Sequence, residues 1–302
     1  MNELSKRNGS PLKFIMPVLL MIGVQILTQL FGGQIMFFYK GYTYTEGTYD
    51  EFMAGYQEAL VSNNFNMIIT IGSTLILAIV FLFWYRREIV HAANVSLRNK
   101  CKVIGVLDFK FVPGVILTGI GLGIFATFVV YFVTMVKPDM VSESSDIAYL
   151  INSGDMGNMN IFLIIYFCFL SPVCQELAFR GLTLGFAERR MSFMAANVVQ
   201  ALLFGAFSMN FVQVIYYFVF GMVLGYVYYR TENILIPIAC NIIFCITRLI
   251  FMNVNVIYSS VVISFIVLLA AMAAAYAGVV LIKRSKISRT DNEDKPKDNP
   301  FA

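Results

Sequence analysis

The chain has 302 residues, of which 59% are hydrophobic and only 13% are charged, against about 25% charged residues in a typical soluble domain. Its mean hydropathy of +0.74 excludes a soluble globular protein. The net charge of +4 matters less than where the charges fall. Several apolar stretches reach the roughly 20 residues needed to cross a hydrocarbon core of about 30 Å. The composition therefore predicts an all-α, multi-pass transmembrane helical bundle.

Eight apolar segments predict about eight spans, which place both termini on one side of the membrane. The segments lie at about 14–38, 66–85, 111–136, 160–187, 191–209, 211–229, 233–253 and 256–282. They are separated by a polar loop at 40–64, a basic connector at 86–110 with the spacing of a short interfacial helix, and an acidic loop at 137–159. We divide the chain into the first three spans with the connector (1–157), a motif core (158–253), a last span (254–282) and a charged tail (283–302), which we expect to be disordered.

The basic residues indicate the orientation of these spans. Of the 22 lysine and arginine residues, only Lys40 and Lys137 fall in loops on the side opposite the termini. The positive-inside rule therefore predicts a cell-membrane protein with both termini in the cytoplasm. Two basic residues, Arg180 and Arg248, and one acid, Glu176, remain inside the predicted spans. Because Arg248 nears the outer end of its span, we expect it to reach the interface or pair with an outer-loop acid.

Glu176 and Arg180 are four residues apart, so on a helix they share a face and can form an ion pair. A charge in the centre of a span costs about 2.5–3.5 kcal/mol on insertion scales, so such residues usually face the bundle interior and mark a functional site. The alternative interpretation is that the pair has only a structural role and holds helices together.

Residues 175–181 read Gln-Glu-Leu-Ala-Phe-Arg-Gly. They resemble the first motif, Glu-Glu-x-x-x-Arg, of the CPBP family of CAAX-type intramembrane proteases and bacteriocin-processing or immunity (Abi) proteins. Residues 201–210 resemble the second motif, usually Phe-x-x-x-His, and 236–245 the last, usually His-x-x-x-Asn or His-x-x-x-Asp. Residues 220–234 resemble the glycine-bearing span between them. The resemblance implies an eight-span helical fold, membrane endopeptidase activity and a divalent metal such as zinc.

The family's polar positions are only partly kept. Glu176 and Arg180 are retained, whereas the first glutamate is replaced by Gln175, the two histidines by Ser208 and Asn241, and the final Asn or Asp by Cys245. The single histidine, His91, lies in the connector. Asn and Ser are poor ligands for zinc-like metals, so we expect no metal or other cofactor. Cys174, Cys240 and Cys245 are interpreted as packing residues, since Cys174 lies about 200° around its helix from Glu176.

What remains is a polar cluster of Gln175, Glu176, Arg180, Ser208 and Asn241, extended by Asn197 and Gln200. Our first hypothesis is a catalytically inactive family member that acts in binding, regulation or bacteriocin self-immunity. The alternative is an active endopeptidase in which Glu176 is the general base while Asn241 and Ser208 position water. A third hypothesis is a carrier gated by the ion pair. The expected partners are the lipid bilayer and a peptide or prenylated protein segment, not nucleic acid.

Overall fold

The computed structural model describes residues 12–44, 47–61, 63–90, 111–137, 161–208, 210–251 and 260–285. All regular secondary structure in these ranges is helical, and no strand occurs in them, so the predicted all-α class is confirmed. Several predictions fall outside the described residues. They are the interfacial helix beyond residue 90 with His91, the acidic loop from 138 onward, and the disordered tail after residue 285.

Nine helices make up the described part of the chain. Eight of them are α1 (Met16–Thr43), α2 (Tyr49–Val61), α3 (Asn63–Tyr85), α4 (Phe111–Val136), α6 (Phe193–Phe207), α7 (Phe211–Thr231), α8 (Leu235–Phe251) and α9 (Val261–Lys283). The helix α5, residues 161–187, is a run of alternating α and π segments: Ile161–Ile165, Tyr166–Leu170, Ser171–Glu176, Leu177–Leu184 and Gly185–Ala187. A π turn, Arg86–Val90, extends α3.

Five helices in the described residues are long and apolar enough to cross a membrane: Lys13–Thr43, Ile68–Ile89, Phe111–Val133, Phe211–Thr231 and Val262–Lys283. The other three predicted spans correspond to α5 and to two shorter apolar helices, α6 and α8. The chain is therefore a helical membrane protein.

The predicted polar loop at 40–64 is wrong for most of its length, because α1 continues to Thr43 and α2 follows at Tyr49. Aromatic contacts hold this helical hairpin together. Phe52 and Tyr56 of α2 meet the ring of Phe37 edge-on, with centroids 5.2 and 5.4 Å away. The Tyr56 hydroxyl donates to the Gly33 carbonyl at 3.3 Å. The acidic residues of this segment favoured the prediction of a loop, whereas its aromatic residues stabilise a helix.

Polar residues end and begin the helices around the motif core. The Ser192 hydroxyl accepts the Ala195 N–H at the start of α6, and the Asn210 side chain accepts two N–H groups at the start of α7. Such caps satisfy backbone donors that have no partner inside the helix. At the end of α7, Glu232 adopts a left-handed conformation with φ of 48°, which stops the helix and turns the chain into α8.

Small residues allow close packing of α4 against α8 on one side and α9 on the other. A methyl group at Gly119 would lie 2.9 Å from the Cys240 carbonyl oxygen of α8, and one at Gly121 would overlap the backbone of α9 at Ala271. The contact of α6 with α7 is similar, since a methyl group at Gly221 would lie 2.9 Å from the Ala201 Cα. Glycine and alanine therefore set the distances between these helices, as is typical of membrane bundles.

The helix α5 lies in the middle of the bundle and contacts α1, α3, α6, α7 and α8. Every residue from Leu177 to Ala187 is buried. Gly181 lets the Tyr85 ring of α3 pack directly on the backbone of α5. The Tyr85 hydroxyl in turn lies 3.1 Å from the Tyr228 hydroxyl of α7. The side chains of this second half of α5, from Leu177 to Ala187, are therefore held among several helices and shielded from lipid.

At one end of the bundle, α5 is joined to its neighbours by charges that we call the helix-end cluster: Lys13, Glu88 and Arg189. The Lys13 ammonium lies 3.0 Å from the Glu88 carboxylate, and the Arg189 guanidinium lies 3.9 Å from it. Arg189 also donates to the Glu88 backbone carbonyl. The cluster links the start of α1 and the end of α3 to the chain that follows α5.

Candidate functional site

Glu176 and Arg180 occupy one face of α5, at the point where its hydrogen bonding changes. An α segment ends at Glu176, and a π segment, Leu177–Leu184, follows directly. Pro172, in the first turn of the α segment, has no N–H to contribute to the helix. A π segment inside a helix rotates the residues on either side relative to each other and is frequent at functional sites.

The predicted ion pair is present and fully buried. Arg180 Nη1 donates to Glu176 Oε1 at 3.0 Å, and both side chains are 0% exposed. At this burial neither charge is screened by water, so each stabilises the other strongly once both are removed from solvent. The pair therefore satisfies the requirement that a charge inside a membrane bundle must have a partner.

Asn241 of α8 completes the environment of the carboxylate. Its Nδ2 donates to Glu176 Oε1 at 2.7 Å and to Gln175 Oε1 at 3.3 Å. The Cys245 thiol, one turn further along α8, donates to Asn241 Oδ1 at 3.6 Å. On α5, Gln175 Nε2 donates to the Ser171 hydroxyl at 3.1 Å. Five of the six predicted motif positions are thus linked by hydrogen bonds, and they form what we call the Glu176 site: Gln175, Glu176, Arg180, Asn241 and Cys245.

Two aromatic rings form the apolar side of the Glu176 site. The Arg180 guanidinium carbon lies 4.4 Å from the centroid of Phe204 on α6 and 5.8 Å from that of Phe220 on α7. Phe220 stacks in turn on Phe244 of α8 at 4.0 Å. A guanidinium over a desolvated ring gains cation–π attraction, so these rings stabilise the charge and shield the face of the guanidinium that they cover from bulk solvent. Neither ring was predicted to be part of the site, although Phe204 lies four residues before Ser208 in the second motif.

Ser208 lies outside this hydrogen-bonded group. Its hydroxyl donates to the backbone carbonyls of Gly205 at 2.7 Å and Asn210 at 3.3 Å, where it closes the end of α6. Among the described residues it makes no hydrogen bond to Glu176 or Asn241. A water-positioning role for Ser208 therefore has no support in its hydrogen bonds.

Asn197 and Gln200 join α6 to α7 and do not bond to the Glu176 site. Asn197 Nδ2 donates to the Met222 carbonyl at 3.0 Å. Gln200 Nε2 donates to Asn197 Oδ1 and to the Gly221 carbonyl, both at 2.8 Å. Arg248 is likewise placed by aromatic contacts, with its guanidinium carbon 4.8 Å from the Tyr216 centroid and 5.5 Å from that of Phe244. The acidic loop in which we expected a partner for Arg248 lies outside the described residues.

The donor set at the Glu176 site does not fit a zinc-type metal. Zinc sites use three or four His, Cys, Asp or Glu ligands. Within the described ranges, no group of three such residues is close enough together to hold a metal ion. At the Glu176 site itself one carboxylate is surrounded by two amides and an arginine, and its Oε1 already accepts two hydrogen bonds. No step of a mechanism is therefore assigned to a metal here.

The chemistry left to the Glu176 site is hydrogen bonding and general-base action. Glu176 Oε2 is buried and has no hydrogen-bond partner among the described residues, so it can accept a proton or a hydrogen bond from a molecule that enters. Gln175 and Cys245 are only partly buried, whereas Glu176, Arg180 and Asn241 are buried. An incoming group would therefore approach from the side of Gln175 and Cys245.

Comparison with known families bears directly on this segment. A family model described as Rce1-like, type II CAAX prenyl endopeptidase, matches residues 157–247, which hold α5, α6, α7 and most of α8. No curated protein and no solved structure matches the chain. The matched segment contains Glu176, Arg180, Asn241 and Cys245, and it lies within a bundle of apolar helices. Over this motif-bearing segment the chain is similar to the CAAX-protease-like family of helical membrane proteins, whose model is described as type II CAAX prenyl endopeptidase Rce1-like.

Proposed function

We propose that this protein is a catalytically inactive family member that binds a peptide or prenylated protein segment at the Glu176 site without cleaving it. One observation carries the proposal: the Asn241 amide donates to Glu176 Oε1 at 2.7 Å, at the position where family members have a histidine. An imidazole can exchange a proton with a carboxylate or a water molecule, whereas an amide cannot. Asn241 therefore holds the carboxylate in place but gives it no partner in proton transfer.

The other replaced positions support the same conclusion. Gln175 cannot act as a base, and its amide is engaged with Ser171 and Asn241. Cys245 donates to Asn241 Oδ1, and an amide oxygen is too weak a base to take up the proton of a thiol. A nucleophile without an adjacent base or a lowered pKa is weak. Binding by hydrogen bonds remains after these replacements.

The exposure and the polar groups of the site indicate what it binds. Gln175, with its amide, and Cys245, with its thiol, are partly exposed, and Glu176 Oε2 is a buried acceptor. Amide and carboxylate groups of this kind pair with the N–H and C=O groups of an extended peptide backbone. Apolar helices around the site suit a lipidated chain that arrives through the bilayer. Capture of such a segment, with both termini of the protein in the cytoplasm, would serve regulation or bacteriocin self-immunity.

Photo-crosslinking tests this proposal. The purified protein in lipid vesicles is mixed with a farnesylated peptide that carries a photoreactive residue next to its modified cysteine. We expect crosslinks to α5 and α8, competition by the unlabelled peptide, and loss of crosslinking in a Gln175→Leu, Cys245→Leu double variant. Ser208→Ala is the matched control, because Ser208 belongs to the family motifs but makes no hydrogen bond to the Glu176 site. Equal crosslinking of the double variant and the control would refute a peptide site at this position.

Endopeptidase activity is the second candidate function, favoured by Glu176 Oε2, which has no hydrogen-bond partner in the part of the chain that the structure describes. A carboxylate oxygen in that state could take a proton from an attacking water, with Asn241 and Arg180 holding the other oxygen still. This function requires Glu176-dependent release of a peptide product. The first proposal predicts capture without release.

A further inference from the structure

Arg180 of the ion pair and two other fully buried side chains carry atoms that have no hydrogen-bond partner among the described residues: Arg180 Nε and Nη2, Thr183 Oγ1 and Gln200 Oε1. Arg180 uses Nη1 for Glu176, so its unpaired donors form the opposite edge of the guanidinium, the fork that usually holds two acceptors. Gln200 gives both hydrogen bonds of its NH₂ group to Asn197 and Gly221, which leaves its carbonyl oxygen as the unused acceptor.

Thr183 differs from other buried threonines of this bundle. The hydroxyls of Thr118, Thr127 and Thr231 each donate to the carbonyl four residues earlier, at 2.8, 3.0 and 2.8 Å. The Thr183 hydroxyl does not, because Thr183 lies in the π segment Leu177–Leu184, where the backbone no longer follows the α-helical register. Its hydroxyl is therefore left for a partner outside its own helix.

The three side chains lie in the same part of the bundle. Thr183 is one turn after Arg180 on α5, and Gln200 is one turn before Phe204 on α6, the residue on whose ring the guanidinium rests. Because α5 and α6 are adjacent and joined by a short connection, they run antiparallel. One turn forward from Arg180 on α5 and one turn back from Phe204 on α6 therefore lead towards the same end of the bundle. Gln200 also bonds to Gly221 of α7, next to Phe220, the second ring beside Arg180. The unpaired groups therefore lie at the same level of the bundle, where α5, α6 and α7 pack together.

These groups are complementary in kind: two N–H donors, a carbonyl acceptor and a hydroxyl that can do both. Buried polar groups in proteins are nearly always satisfied, and a buried water typically makes about three hydrogen bonds to such groups. We propose that ordered water occupies a site between Arg180, Thr183 and Gln200 and fixes the guanidinium against Glu176. Thr183 and Gln200 are then positioning residues for the ion pair. This inference does not depend on whether a peptide binds at the Glu176 site.

Hydroxyl-radical labelling by X-ray radiolysis tests the water site, because bound water generates radicals that oxidise adjacent side chains even when these are shielded from solvent. The probe is Phe204, which is 1% exposed, and the reference is Phe81 of α3, which is 0% exposed and packs among apolar residues. In the wild type without any peptide, we expect Phe204 to be labelled several-fold more than Phe81. Equal labelling of the two rings would overturn the proposal.

Threonine variants assign the label to this site. Thr183→Val removes the hydroxyl at constant shape and should reduce labelling of Phe204 severalfold, whereas Thr183→Ser should retain it. Thr118→Val is the matched control, because Thr118 is equally buried but already bonds to Gly114. Labelling of Phe81 reports whether each variant is folded. Unchanged Phe204 labelling in a folded Thr183→Val variant would contradict a water held by Thr183. If that variant does not fold, the comparison of Phe204 with Phe81 in the wild type decides whether the water site exists.

Discussion

Two groups of charges involve α5 or the chain that directly follows it, and they are built in opposite ways. In the Glu176 site, one carboxylate and one guanidinium are fully buried, and the carboxylate also accepts from Asn241. In the helix-end cluster, Glu88 lies between Lys13 and Arg189, and these three side chains are 28–35% exposed. The ion-pair distance of 3.0 Å is the same for Glu176–Arg180 and Glu88–Lys13. Only the surroundings differ.

The difference shows that burial, more than distance, sets the cost of breaking an ion pair. At the helix ends a lost partner is replaced by water or a counterion, so the remaining charge is hardly penalised. Inside the bundle nothing replaces it, because Phe204 and Phe220 cover the Arg180 guanidinium. Removal of one partner from a buried ion pair is therefore strongly destabilising. The intact pair nevertheless contributes little to stability when it is compared with an apolar pair of similar size.

Glu176→Ala should have the largest effect on stability. It leaves Arg180 buried without its counter-charge, and the expected loss is about 3–5 kcal/mol in the free energy of unfolding. The measurement is reversible denaturation in detergent micelles. The double variant Glu176→Leu, Arg180→Met should recover most of the loss because it buries no charge. A double variant as unstable as the single one would show that the pair matters through its shape and not through its charge.

Asn241→Leu should have the next largest effect. It removes the amide that donates to Glu176 Oε1 at 2.7 Å, and loss of a hydrogen bond to a charged group costs about 1.5–3 kcal/mol. The same denaturation assay measures this loss. Ser208→Ala serves as the control and should cost less, since its hydroxyl bonds only to backbone carbonyls at the partly exposed end of α6. If the two variants are equally stable, Asn241 does not hold the carboxylate.

Lys13→Ala should have the smallest effect, below about 1 kcal/mol, because exposed ion pairs gain little. Its effect should also shrink as the salt concentration rises, whereas the effect of Glu176→Ala should not change. Thermal melting at low and high ionic strength distinguishes the two. A salt-dependent loss in Glu176→Ala would mean that water and ions reach the buried pair, which contradicts the comparison.

The contacts of the site that follow from helix periodicity and from the order of the motifs could be predicted from the sequence. Four-residue spacing puts Glu176 and Arg180 on one face of α5, and the order of the motifs indicates that Asn241 and Cys245 come near them. The apolar composition also predicts the helical bundle, and the structure confirms it. These inferences need only helix periodicity and the cost of isolated charges in the membrane.

The remaining contacts depend on how the helices cross and rotate, which the sequence does not specify directly. Ser208 closes the end of α6, and Gln200 bonds to the backbone of α7, although both were expected in the polar cluster. The π segment after Glu176 has no distinct sequence signal, yet it determines where the Thr183 hydroxyl points. Phe204 and Phe220 resemble ordinary core residues until the guanidinium of Arg180 is placed between them.

The most direct test of the account is a single-turnover cleavage assay on the protein in lipid vesicles, with a farnesylated peptide as substrate and with Glu176→Gln measured in parallel. Because Glu176 is held by an arginine and an amide, and the described ranges contain no imidazole, we predict that the wild type and the variant release no product above the rate of empty vesicles. Product formation by the wild type that disappears in Glu176→Gln would contradict the account and establish Glu176 as a general base.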